Sequence, residues 1–213
     1  MDNAGTTGIT ITMLLISSVV MGATIFNVTS NETEGNISEN DLAELAQQLT
    51  DDTVDEITTY LKTPYILGKY YGSANHQKIE KIVINVESWI SKDINMSELT
   101  IELYNENSVR ILSYSGYAEA VESNDVFEHP IWNSITDYNF GIIVSHDKDN
   151  SLVDYDIIND RTDMAFLSIK LPENMAMSKG DIMTVILSPS NGITRTLELE
   201  APLPMKSVVN FGL

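Results

Sequence analysis

The hydrophobic and polar positions follow three regimes along the chain. Gly8 to Phe26 reads GITITMLLISSVVMGATIF, inside a stretch from Ala4 to Ser30 that carries no charge. As a helix this segment spans roughly 28 Å, close to the hydrocarbon core of a bilayer. Leu42, Leu45, Ala46, Leu49, Val54, Ile57 and Leu61 then recur at three- to four-residue spacing, with one longer step, and predict a second helix over 39–61. Asp41 suits its start, Asp51 and Asp52 allow a break, and Pro64 stops it. From about Tyr65 the period changes to two. Ile82–Glu87, Leu99–Leu103, Phe140–Val144, Met164–Leu171, Asp181–Leu187 and Thr194–Leu199 read as strands. Turn signals separate them at Asn105-Glu-Asn, Ser115-Gly, Asp147–Asn150, Lys179-Gly and Ser188–Gly192. Pro202 and Pro204 leave Lys206–Phe211 as a closing edge strand. Strands at this spacing with no helices between them predict an antiparallel sandwich. The expected class is α+β: a helical segment over 1–63, with a polar break at about 27–40, and a β-sandwich over 64–213.

The leading apolar segment carries features beyond its hydrophobicity. A secretory signal would begin with a basic region, yet Lys62 is the first basic residue. A single-span anchor competes with self-association, but no Lys or Arg flanks either end to fix its topology. Gly8, Thr12 and Leu15 share a helical stripe that continues through Ser18 or Val19 to Gly22, and small residues on a stripe let helix backbones approach closely. Gly8, Ile9, Met13, Leu14, Leu15, Ile16, Val19, Val20, Gly22, Ile25 and Phe26 are therefore the candidate polymerisation core. Burying the large apolar side chains of this segment gives roughly 16–33 kcal/mol gross, against about 4–15 kcal/mol for association. Neighbouring copies can hold such helices without covalent links.

Charge and composition narrow the chemistry. Twelve basic against 31 acidic residues give a net charge of −19, which excludes nucleic acid as a partner, since phosphate binding needs clustered Lys and Arg. No cysteine is present, which removes disulfides, thiolate nucleophiles and Cys-ligated zinc. His76, His129 and His146 have no metal-protease spacing, and no nucleophile-elbow, P-loop or dinucleotide fingerprint occurs. We assign no catalytic residue and no cofactor, and expect a non-enzyme.

Two constellations remain. Asp147, Asp149, Ser151, Asp154 and Asp156 imitate the start of a calcium loop, although Gly at position six and Glu at position twelve are missing. Asp147, Asp149 and Asp154 are its candidate ligands for a divalent cation, and the pattern leans toward a plain acidic hairpin loop. Four N-x-[ST] sequons, at Asn27, Asn31, Asn36 and Asn95, are candidates for N-linked glycans, with turn chemistry as the alternative.

The residues in order carry a resemblance. Gly5-Thr-Thr-Gly-Ile-Thr-Ile-Thr-Met-Leu-Leu-Ile, running into Ile25-Phe26-Asn27, resembles the N-terminal segment of archaellins, the archaeal flagellins. Gln47-Gln48-Leu-Thr-Asp-Asp-Thr-Val-Asp-Glu-Ile is similar to the second part of their long helix. Lys81–Val86, Ile94 and Leu99–Leu103 resemble their first strands, and Lys179-Gly180-Asp181 with Leu203-Pro204 resembles their end. The similarity runs over nearly the whole chain, and its specificity lies in order and spacing. It implies an extracellular archaellum filament turned for swimming, helices bundled inside and glycosylated Ig-like domains outside. Implied partners are copies of the chain, a second archaellin in a mixed filament, and the motor and anchor at the base, with the membrane only before assembly. Relatives carry a basic leader cut after Gly, so this sequence is expected to be the processed form. Thr and Ser within the first helix and the 27–40 stretch depart from the family. A type IV adhesion pilin and a membrane-anchored sandwich of binding or stator type are the alternatives.

Overall fold

A computed structural model describes residues 47–48, 61–72, 77–88, 93–120, 125–190 and 192–212. The candidate polymerisation core, the 27–40 break and the sequons at Asn27, Asn31 and Asn36 lie outside the described residues. Gln47 and Gln48 are helical and exposed, within the helix expected over 39–61. Leu61, expected to end that helix, is instead a buried strand residue, because β1 (Leu61–Lys62) pairs with Ser88 and Glu87. The chain divides into two units, 1–54 and 55–213, and every strand among the described residues belongs to the second.

Eleven further strands follow: β2 (Ile66–Tyr71), β3 (Lys78–Ser88), β4 (Ile94–Asn95), β5 (Thr100–Tyr104), β6 (Val109–Ala120), β7 (Asn139–His146), β8 (Ile157–Ile158), β9 (Met164–Lys170), β10 (Ile182–Ser188), β11 (Arg195–Glu200) and β12 (Val208–Asn210). One five-residue helix, α1 (Ser151–Tyr155), and four 3₁₀ turns lie among them. Ten strands form one sheet in the order β11-β10-β5-β6-β7-β9-β3-β2-β12, with β1 beside β3, while β4 and β8 pair separately.

Strand β6 joins the two halves of the sheet. Val109–Leu112 run antiparallel to β5, whereas Ser113 to Ala120 run parallel to β7. The expected all-antiparallel arrangement is therefore corrected to a mixed one. The Ser115-Gly116 signal, expected to be a turn, lies inside β6 where the register with β7 shifts between Tyr114 and Ala118. Gly116 has φ of 79°, so the same left-handed backbone that would make a turn makes an irregularity in a continuous strand.

Alternating apolar side chains of both halves meet in one core. Ile101, Leu103, Val185, Leu187, Leu197 and Leu199 come from one half, and Ile82, Ile84, Phe140, Ile142, Leu167 and Ile169 from the other. The sheet thus curls over on itself, since each half hides its period-two apolar face against the other. Each such side chain contributes about 1.5–3 kcal/mol gross.

A second, smaller cluster sits on the opposite face of β3, β7 and β9. Val83, Ile143 and Phe166 are covered there by Phe127, Ile131, Trp132 and Ile135. The cover consists of two 3₁₀ turns, Val126–Glu128 and Pro130–Asn133. Asp125 starts the first by accepting the Phe127 amide, Phe127 stacks on Trp132, and the Trp132 indole donates to the Val126 carbonyl at 2.8 Å. Gly141 of β7 makes the approach possible: a Cβ there would fall 2.6 Å from Ile131 Cδ1. At the far edge, the expected closing strand is β12, paired with β2 after Pro202 and Pro204.

Candidate functional site

The acidic connection between β7 and β9 is where chemistry-bearing side chains converge. These strands are antiparallel and their last pair is His146 with Met164. Asp147 and Asp163 are the next residue on each strand, so the ladder itself brings them together. Between them α1 needs its first amides satisfied. Asp147 supplies the acceptors, taking the backbone N–H groups of Ser151 at 3.1 Å, Leu152 at 2.9 Å and Val153 at 3.3 Å. Asp149 accepts from the Asn159 side-chain amide at 2.9 Å and from the Ser151 backbone at 3.2 Å. These two donors, Asn159 first, hold the Asp149 carboxyl down at about 2.

Asp163 differs in kind. It is fully buried, and its Oδ2 accepts the amides of Asn159 at 3.1 Å and Asp160 at 2.9 Å. Its Oδ1 is buried with no hydrogen-bond partner. Burial pushes this carboxyl up from its usual range, with Asp147 and Asp149 adding to the rise and the two amides opposing it. One ligand atom from each of Asp147, Asp149 and Asp163 lies within 4.8 Å of the others. A divalent cation would fit such a set, because it would neutralise three clustered carboxylates and satisfy the orphaned oxygen.

The sequence expectation for this loop needs one correction. Asp147 and Asp149 join the cluster, but Asp154 does not; it sits exposed on α1 with its amide donating to Asn150. Asp163 takes its place, and only the pairing of β7 with β9 points to it. Asp156 is engaged elsewhere: it closes α1 in a left-handed conformation and accepts the Tyr114 hydroxyl of β6. Burial, then that bond, raises the Tyr114 hydroxyl far above the usual tyrosine range. Asp181 is a turn residue, accepting the Ser178 amide at 2.8 Å.

Asn95 is the one candidate glycan acceptor among the described residues. It precedes the 3₁₀ turn Met96–Glu98, and its carbonyl oxygen accepts the Ser97 amide at 3.0 Å and the Ser97 hydroxyl at 2.7 Å. Its amide nitrogen, the atom a glycan would occupy, donates to Glu98 at 3.0 Å. The turn chemistry of this sequon is thus built, whatever its occupancy.

A basic row crosses the opposite end of the sheet. Lys69, Lys81 and Lys170 stand directly across from one another on β2, β3 and β9. Like charges in that register repel. Lys69 is relieved by Glu128, which it contacts directly, and by Asp125 at 3.9 Å. Lys81 lies 4.7 Å from the Trp132 ring centroid and donates to the Phe127 carbonyl at 3.4 Å. Burial, then Lys69, pulls the Lys81 ammonium below its ordinary range. Lys69 and Lys81 fasten the outer cover to the sheet, a role the sequence hides because β2 carries no clear strand pattern.

The class defined so far is a curled, mixed β domain with an acidic loop at one end and a covered outer flank. Among solved structures it is similar to the archaeal flagellin FlaB1 of Methanocaldococcus jannaschii, at a TM-score of 0.63 and 19% identity, over 70% of this chain and 94% of that one. The archaeal flagellum of Methanospirillum hungatei strain JF1 matches at a TM-score of 0.50 and 13% identity, over 92% of this chain and 93% of that one. At these identities the likeness is one of fold. No protein-family model and no curated protein matches the sequence.

Proposed function

We propose that the chain is a structural, non-enzymatic subunit of an extracellular archaellum filament that serves swimming, with an Ig-like β-sandwich facing outward. The observation that carries this reading is the shared fold with FlaB1 over nearly all of that protein. The charge-free segment 8–26 supports it independently, since such a surface needs covering and its small residues suit close helix packing. Copies joined head to tail through a contact that does not close form an open helix. The test is electron microscopy of material sheared from cells, with a swimming assay on a deletion strain. Filaments containing the chain, lost together with motility, are expected. Filaments with normal swimming after deletion would favour the adhesion-pilin reading, and single molecules in the membrane with no fibres would sink both. Gly22→Leu should block assembly while leaving the β domain folded.

Two subsidiary proposals belong to this reading. A divalent cation held by Asp147, Asp149 and Asp163 would tie β7 to β9, and calcium should then raise the melting temperature of the parent chain but not of Asp163→Asn. N-linked glycans at Asn27, Asn31, Asn36 and Asn95 would clothe the surface, and mass spectrometry of native protein reads their occupancy.

A further inference from the structure

His129 sits between the two 3₁₀ turns of the outer cover with its side chain fully buried. Its Nδ1 accepts the Ile131 amide at 3.2 Å. A ring nitrogen that accepts carries no hydrogen, so the neutral ring's proton is on Nε2, which lies 3.2 Å from the Ala120 carbonyl at the end of β6 and donates to it. One imidazole therefore starts the Pro130–Asn133 turn and fastens the cover to β6. The Nδ1 contact requires the neutral ring, whereas the Nε2–H bond to Ala120 is open to the imidazolium as well.

We infer that His129 is a proton-operated latch, holding residues 125–136 over the sheet when neutral and releasing them when protonated. Protonation puts a hydrogen on Nδ1, where the Ile131 amide already points, so two donors face each other at a buried position. The imidazolium keeps its Nε2–H bond to Ala120, but its new Nδ1–H gains a partner only by turning toward Glu119 of β6, whose carboxylate lies 3.8 Å away and is partly exposed. With or without that turn, protonation leaves the Ile131 amide, at the start of the Pro130–Asn133 turn, without its acceptor. Among the described residues, the other charged groups against the cover are its own Asp125 and Glu128, Lys69 of β2 and Lys81 of β3. Strands β7 and β9 present the apolar Ile143 and Phe166 beneath it. Release thus uncovers an apolar patch of Val83, Ile143 and Phe166. The latch does not depend on whether the chain polymerises.

Trp132 reports the state of the cover, because it stacks on Phe127 and bonds to Val126 within it. The full-length chain has two tryptophans, so Trp89→Phe leaves Trp132 as the single emitter. As the pH falls from 7.5 to 4.5, Trp132 emission should shift to the red and become quenchable by iodide, reversibly. His129→Gln should lose this transition, since an amide offers the same acceptor and donor but does not protonate in that range. Glu119→Gln should move the transition to lower pH by removing the imidazolium's partner, while His76→Gln and His146→Gln should leave it in place. A transition that survives His129→Gln, or an unchanged Trp132 signal between pH 7.5 and 4.5 in the parent, overturns the inference. Should His129→Gln fail to fold, imidazole nitrogen NMR of the unsubstituted chain decides. A neutral Nε2–H ring that titrates in step with Trp132 supports the latch, and an Nδ1–H tautomer or no titration overturns it.

Discussion

The two halves of the curled sheet share one core yet are built on different patterns. In β5, β10 and β11 buried and exposed positions alternate: Ile101 and Leu103 point inward, while Glu102, Thr184, Glu198 and Glu200 lie on the other side. In β3, β7 and β9 the buried runs are nearly unbroken, at Ile82–Val86, Phe140–Val144 and Ala165–Ile169. A strand turns alternate side chains to opposite faces, so alternation means one face is in water and an unbroken run means both are covered. The second half has its outer cover over residues 125–136, and the first has none among the described residues. Burial on a second face thus adds stability to one flank that the described residues do not supply to the other.

Substitutions can break or sharpen that contrast. Phe140→Ala opens the shared core and should cost about 3–5 kcal/mol in chemical denaturation, with both halves melting together. A smaller change that released one half alone would mean the two do not share a cooperative core. Gly141→Ala should cost about 1–3 kcal/mol, because its Cβ would press into Ile131 and lift the cover without touching the core. Circular dichroism should keep its β signature while the Trp132 environment changes. Asp149→Asn probes the acidic end. The folded protein lowers this carboxyl from 3.8 to about 2, so Asp149 contributes stability that is present above pH 3.8 and lost as the pH falls toward 2. The variant should show a flatter loss of stability over that window, and an unchanged acid profile would contradict the loop geometry. Ile111→Thr lies on the open face, 61% exposed, and should change stability by no more than about 0.5 kcal/mol.

Particular residues show how far the chain could be read in one dimension. The strand cores at Ile82–Glu87, Phe140–Val144 and Met164–Leu171 were legible because period-two patterning and β-branched composition act locally. Strand β2 was not, since Gly68 and Lys69 interrupt its apolar run, and Gly68 is there because Phe211, far away in sequence, lies where a Cβ would sit. Ser115-Gly116 reads identically as a turn or as an irregular strand, and only the alignment with β7 separates the two. Of the acidic site, Asp147 and Asp149 announced themselves by spacing, whereas Asp163 is ten or more residues further on and invisible without the β7–β9 ladder.

The sequence by itself determined the charge-free leading segment, the change of period near Tyr65, the alternation of the open half and the acidity of the loop. All of these are written in neighbouring residues. Tertiary structure alone decided the parallel run of β6 beside β7, the cover over Val83, Ile143 and Phe166, the burial of His129 and the third carboxylate of the acidic cluster. Each of those depends on which distant segments fill the same space, and burial and charge at a point are set by everything packed around it rather than by position along the chain.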